Sequence, residues 1–133
     1  MIETEGKFLR QTDKSGYFGR VIIQIIEFEN NTIDITDVTG FNDEKVYSDW
    51  KKGAEIGANY ALSKNLTKKY KVRIKKIMGA DCDTNPTIIG TATIFGIWNA
   101  LNVNVDEFEI ESLTNLTLDS WNKDFDGMPN YGK

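Results

Sequence analysis

The stretch Tyr17-Phe18-Gly19-Arg20-Val21-Ile22-Ile23-Gln24-Ile25-Ile26-Glu27-Phe28 decides the fold. Alternate residues of an extended chain point to opposite faces, so Val21, Ile23 and Ile25 share one side while Ile22, Ile26 and Phe28 share the other. A strand apolar on both faces belongs at the centre of a sheet or under a helix. Upstream, Asp13-Lys14-Ser15-Gly16 supplies turn-forming residues, and Lys7 to Thr12 reads as a preceding strand. Downstream, Asn30-Asn31 makes a second turn before Thr32-Ile33-Asp34-Ile35-Thr36-Asp37, which alternates cleanly. The three segments together predict an antiparallel three-strand meander.

The period then changes. From Lys45 to Leu62, residues Val46, Trp50, Ala54, Gly57, Ala58, Ala61 and Leu62 recur every three or four positions, predicting an amphipathic helix. Its Ala and Gly side chains imply close packing, which must offset the low helix propensity of Gly53 and Gly57, about 1 kcal/mol each. Tyr70 to Ile77 alternates again, with Tyr70, Val72 and Ile74 facing the helices and Lys71, Arg73 and Lys75 facing solvent. Asn85-Pro86 opens a second helix running to about Leu101, an Asn cap followed by the proline that the first turn tolerates. Its many β-branched residues leave a strand within Thr87 to Ile97 as the alternative. Phe108 to Leu113 reads as an edge strand whose acidic side opposes the basic one. Leu116, Leu118 and Trp121 cover the core, and 126–133 reads as a mobile tail. The prediction is an α+β two-layer sandwich, β-β-β-α-β-α, forming a single domain over 1–133 with a core at 5–101 and a C-terminal extension and tail at 102–133.

Hydrophobic residues make up 40% of the 133, enough to specify a core rather than a disordered chain. No apolar run reaches the length of a membrane span, and the opening MIETEGKF lacks the pattern of an export signal, so a cytoplasmic location is expected. The sequence contains no histidine, which excludes His-dependent triads, His–metal sites and imidazole acid–base chemistry. The single Cys82 stands between Asp81 and Asp83, neighbours that disfavour a thiolate, and reads as incidental rather than nucleophilic. The net charge is −4, yet Lys64 to Lys76 carries only basic charges and Asp106 to Asp126 is almost wholly acidic. Folding decides whether these charges separate or neutralise each other.

Four pieces of the sequence, in order, resemble a known family. Glu5-Gly6-Lys7-Phe8-Leu9-Arg10-Gln11-Thr12, followed by Gly16-Tyr17-Phe18-Gly19-Arg20-Val21, is similar to the opening of domain IV of elongation factor G. Lys52 to Leu62 looks like that family's Gly-x-x-x-Ala-Leu helix, Val72-Arg73-Ile74 like its next strand, and Asp83-Thr84-Asn85 like the Asp-Ser-Ser that opens its second helix. The resemblance implies the ribosomal protein S5 domain 2-like fold, with a left-handed βαβ crossover, and tip-facing loops at Asp13 to Phe18, near Gly40 to Asp43, and at Gly79 to Asn85. The chain contains no Gly-x-x-x-x-Gly-Lys-Ser/Thr phosphate loop. Ala80-Asp81-Cys82-Asp83 stands where the family commonly has a histidine.

Arg10, Lys14, Arg20, Lys71, Arg73 and Lys75 are the candidate phosphate contacts, and Tyr17 and Phe18 the candidate stacking platforms for bases. Asp81, Asp83 and nearby Asp43 are oxygen ligands for a hard cation, although turn formation and helix capping explain Asp81 and Asp83 better. The expected function is a non-catalytic docking or recognition module without metal or cofactor. Its partner is a protein, with ribosomal RNA disfavoured by the net acidity. The rival readings are a small carboxylate-dependent hydrolase, which needs two acids converging in a pocket, and a ribosomal RNA-binding module.

Overall fold

The computed structural model describes residues 1–13, 15–36, 44–64, 66–80, 82–122 and 128–131. The elements are β1 (Ile2–Gln11), β2 (Gly16–Glu27), β3 (Thr32–Ile35), α1 (Glu44–Leu62), β4 (Tyr70–Gly79), α2 (Pro86–Ala100) and α3 (Glu107–Leu118), with a short 3₁₀ turn at Asp119–Asn122. The β-β-β-α-β-α order expected from the sequence is therefore present. Both helices of this core cover one face of a four-stranded sheet, α2 over β1 and β2, α1 against β3 and β4.

The strand order is β1-β2-β4-β3, with β2 internal, as its two apolar faces require. The meander is not formed. β3 pairs with β4, in parallel, and α1 makes the crossover. Strand length explains the difference. β4 matches β2 in antiparallel register from Gly19 to Glu27, whereas β3 has only four residues and would leave most of β2 unpaired. A register shift at Ile22/Ile23 leaves Lys75 as the extra residue of a bulge, so Lys75 and Lys76 are both exposed before Ile77 returns to the core.

The core consists of Val21, Ile23 and Ile25 of β2 with Val72, Ile74 and Ile77 of β4, beneath Trp50, Ala54, Ala58 and Ala61 of α1 and Ile88, Ile89, Ala92 and Ile97 of α2. Glycines bring the layers together. A Cβ added at Gly57 would lie 2.3 Å from the Gly90 carbonyl oxygen, and one at Gly6 would lie 2.1 Å from that of Ala92. The segment Thr87 to Ile97 is helical despite its β-branched residues. Asn85 caps the helix by accepting from the Ile88 amide at 2.8 Å, and nearly every residue of α2 is buried, so packing outweighs propensity.

The edge strand expected at Phe108 to Leu113 is instead part of α3. The Asp106 side chain accepts from the Phe108 amide at 2.6 Å, and Glu107 and Glu109 sit in the first turn, where the helix dipole favours anions. Leu113 and Thr117, four residues apart, form the buried side. Phe108, which made the segment look alternating, is 75% exposed. The acidic side of α3 thus does not face β4. α3 packs on α2, with Glu109 accepting a hydrogen bond from the Tyr60 hydroxyl of α1 at 3.1 Å.

The described part of the expected mobile tail is docked. Pro129 is buried, and the Tyr131 hydroxyl donates to the Thr87 carbonyl at 3.2 Å and lies 3.0 Å from Thr91 Oγ1. The Tyr131 and Tyr60 rings are 5.3 Å apart between centroids. An amphipathic residue with an apolar body and a satisfied hydroxyl holds a chain end that composition alone marks as loose.

Burial raises the Tyr131 phenol pKa, the Thr91 hydrogen bond opposes the rise and the nearby Tyr60 adds to it. Tyr60 is raised in the same direction by burial, by its bond to Glu109 and by the charge of that group. Unfolded phenols release their protons at about pH 10 while the folded ones still hold them, so above that pH unfolding releases protons and is favoured as pH rises. This contribution is complete below about pH 10 and is lost above it, at up to about 1.4 kcal/mol per pH unit for Tyr131. Denaturation at a series of alkaline pH values should show stability falling more shallowly in Tyr131→Phe than in the parent. Identical slopes would show that Tyr131 does not keep its proton in the fold.

Candidate docking face

The helix-free face of the sheet collects Phe18, Arg20, Lys71, Arg73 and Lys75 from the residues singled out in the sequence. On β1 it presents Glu3, Glu5, Lys7 and Leu9, and on β2 Phe18, Arg20, Ile22, Gln24 and Ile26, because Gly6 and Phe8 of β1 and the alternate positions of β2 are buried under the helices. β4 adds Lys71, Arg73, Lys75 and Met78, and β3 adds Asp34.

Three of its cations, Arg20, Arg73 and Lys75, are held by acids of other strands. Arg20 forms an ion pair with Glu5 and also approaches the Met78 sulfur at 3.9 Å. Arg73 lies 3.4 Å from Asp34, directly opposite it in the parallel register, and Lys75 lies 3.6 Å from Glu3. Lys71 stands over the Phe28 ring at 5.6 Å, and Arg10 over the Phe8 ring at 5.2 Å, where it also donates to the Leu9 carbonyl at 2.9 Å. Arg73 and Lys75 of the basic strand are therefore compensated from both sides within the sheet, and among the described residues neither pairs with the acidic C-terminal segment. Each of these pairs is exposed enough for solvent screening to keep its contribution small, roughly 0–1 kcal/mol.

An apolar row runs among the pairs. Leu9 stands directly across from Phe18 on the adjacent strand, and Ile22 and Ile26 continue along β2. Leu9 is 54% exposed and Ile26 47%, while Phe18 and Ile22 are half-buried.

Tyr17 is on the other side of its strand. It is only 5% exposed, packs edge-on against Phe8 and donates its hydroxyl to the Leu118 carbonyl at 2.8 Å. Its ring is not offered to a nucleobase. Phe18 is fixed by its backbone: its amide donates to the Asp83 carbonyl at 2.7 Å, and its carbonyl accepts from Thr84 Oγ1 at 2.5 Å. The loops after β1 and β4 are thereby joined. Asp83 is half-buried with its carboxylate against Gly16, where an added Cβ would come within 2.8 Å of Oδ1. Lys14, Asp81 and Asp43 lie outside the described residues. Cys82 is exposed. Among the described residues, no group of three Cys, Asp or Glu is arranged to hold a metal ion, and no helix is long and apolar enough to cross a membrane.

A cleft of about 530 Å³ with no counterpart among the sequence candidates lies where α2 passes into α3, lined by Phe95, Trp98, Asn99, Asn102, Val103, Asn104, Val105 and Ile110. Asn102 adopts a left-handed conformation, φ 53°, and the Val103 amide returns to the Trp98 carbonyl at 3.0 Å, ending α2 in a tight turn. The alternation Asn102-Val103-Asn104-Val105 was the available signal, since it sets carboxamides and apolar groups side by side.

No protein-family model matches the sequence, and no curated protein matches it. Among solved structures, the chain is similar to a Thermus thermophilus protein, with a TM-score of 0.62 and 18% identity over 77% of this chain and 16% of that one. It also aligns with Streptococcus pneumoniae phosphomevalonate kinase, solved with phosphomevalonate and AMPPNP, at a TM-score of 0.39 and 14% identity over 90% of this chain and 42% of that one. For Methanococcus jannaschii mevalonate kinase the TM-score is 0.43, with 12% identity over 98% of this chain and 47% of that one. The chain thus spans less than half the length of each. The Thermus match, with its TM-score above 0.5, agrees with the two-layer α+β architecture of the chain.

Proposed function

We propose that the chain is a non-catalytic docking module, resembling the tip domain of elongation factor G, that binds a protein partner through the helix-free face of its sheet. The observation that supports this reading is the apolar row Leu9, Phe18, Ile22 and Ile26 lying among ion pairs that are already made. Binding a phosphate backbone needs side-chain cations free to neutralise phosphates and displace their condensed counterions, whereas Arg20, Arg73 and Lys75 would first have to leave their carboxylates. A protein surface gains instead from covering the apolar row, and the flanking pairs supply a polar rim.

The test is affinity isolation from the native extract with the full chain, in parallel with Ile22→Asp and with Lys71→Gln/Arg73→Gln/Lys75→Gln. The expected partner is a protein whose capture survives nuclease, persists in the glutamine variant and is lost in Ile22→Asp. Retention that nuclease abolishes, and that weakens with salt and in the glutamine variant, would replace this reading with RNA binding.

A further inference from the structure

The outer edge of β1 is unpaired in the sheet, and its chemistry is self-complementary in one register. At the mouth of the β1–β2 hairpin the Thr12 amide donates to the Ser15 carbonyl at 2.9 Å, in the same antiparallel register as the strands. Mutually bonded pairs recur every second residue, so Arg10, Phe8, Gly6 and Thr4 direct their backbone groups to β2. Glu3, Glu5, Lys7 and Leu9 consequently direct their amides and carbonyls away from the sheet. The Leu9 carbonyl agrees, since its partner is the Arg10 guanidinium at 2.9 Å rather than another strand. The edge is ten residues long, far longer than the four of β3 at the opposite edge.

We propose that β1 pairs antiparallel with β1 of a second copy, about a two-fold axis through Gly6, giving a continuous eight-stranded sheet. Continuity requires residues that face the same side to stand opposite each other, which leaves three central registers. An axis through Glu5 sets Glu5 against its own symmetry mate, and an axis through Lys7 sets Lys7 against its mate. Like charges directly opposite are destabilising. An axis through Gly6 sets Glu5 of each copy opposite Lys7 of the other, with Leu9 beside the aliphatic stem of Glu3. Charged edge residues ordinarily prevent strand addition. Here they reject two registers and favour the third.

Lys7 supplies the complementary charge. It stands directly across from Arg20, a like-charged neighbour, and among the described residues it forms no ion pair. Glu5 of the second copy meets that need. The outward-facing residues of the two strands would exchange about eight backbone hydrogen bonds. Both helix layers fall on one side of the extended sheet and both docking faces on the other, so dimerisation leaves the proposed partner surface open.

Sedimentation equilibrium over a concentration series tests the assembly. The parent chain should be dimeric. Lys7→Glu and Glu5→Lys should each raise the dissociation constant about tenfold or more. The combined Glu5→Lys/Lys7→Glu exchange should restore it, because the pairs are reformed with reversed polarity, and circular dichroism would verify that each variant is folded. A parent monomeric at the highest soluble concentration overturns the proposal, as does association that the single changes leave unaltered or the exchange fails to restore. A monomer whose β1 amides become protected only on adding an extended peptide would assign the edge to a different partner and reject the second copy.

Discussion

Replacing Gly57 by Ala destabilises the fold by about 3 kcal/mol, although the same change in a solvated helix would stabilise it by about 1 kcal/mol. The two effects have opposite sign, and the geometry decides between them. The new methyl carbon would lie 2.3 Å from the Gly90 carbonyl oxygen and 2.8 Å from the Gly90 Cα, both backbone atoms that no rotamer change can move. α1 and α2 must therefore separate, and the helices' contact with the sheet beneath must loosen with them. Urea denaturation measures the loss, with Ser48→Ala on the exposed side of α1 as the control that reports propensity alone. A rise in stability of Gly57→Ala would show that the helices are not in backbone contact there.

Thr84→Val costs about 2–3 kcal/mol, while Thr84→Ser costs much less. Thr84 is 5% exposed, and its hydroxyl serves two backbone groups at once. It donates to the Phe18 carbonyl at 2.5 Å and accepts from the Ala80 amide at 2.8 Å. Valine preserves the shape and removes both bonds, leaving two polar groups where water reaches poorly. Because the hydroxyl joins the start of β2 to the loop before α2, its removal should also speed exchange of the Phe18 amide, which donates to Asp83 in the same junction. Equal stability of the valine and serine variants would assign the role of Thr84 to packing instead.

The parts of the fold legible in the sequence were those written in long periods. β2 declared its internal position through two apolar faces, α1 through its three-and-four spacing, and α2 through Asn85-Pro86. Pairing was less legible. Nothing local in Thr32 to Ile35 distinguishes a strand that turns back onto β2 from one that waits for β4, since the choice depends on a competitor whose ladder begins nearly forty residues later. α3 was misread because Phe108 and Ile110 alternate over a window too short to separate the two periods, whereas the Asp106 cap and the Leu113–Thr117 spacing carried the helical signal. The candidate face was legible as a row of cations. That Arg73 and Lys75 were already matched followed only from the register, which sets Asp34 opposite Arg73 and brings Glu3 within reach of Lys75.

The glycine contacts around α2 also bear on how the chain reaches its native state. Gly6 meets Ala92 and Gly96, and Gly57 meets Gly90, so the helix is seated by segments remote from it in sequence. Closing such distant contacts sacrifices chain entropy before any of their cohesion is gained. The hairpin of β1 and β2 joins neighbouring residues, whereas the seat of α2 is built from the first strand and the first helix. Much of this domain's cohesion is thus gained only as remote segments converge on one helix, a topology expected to slow folding relative to one built from local contacts.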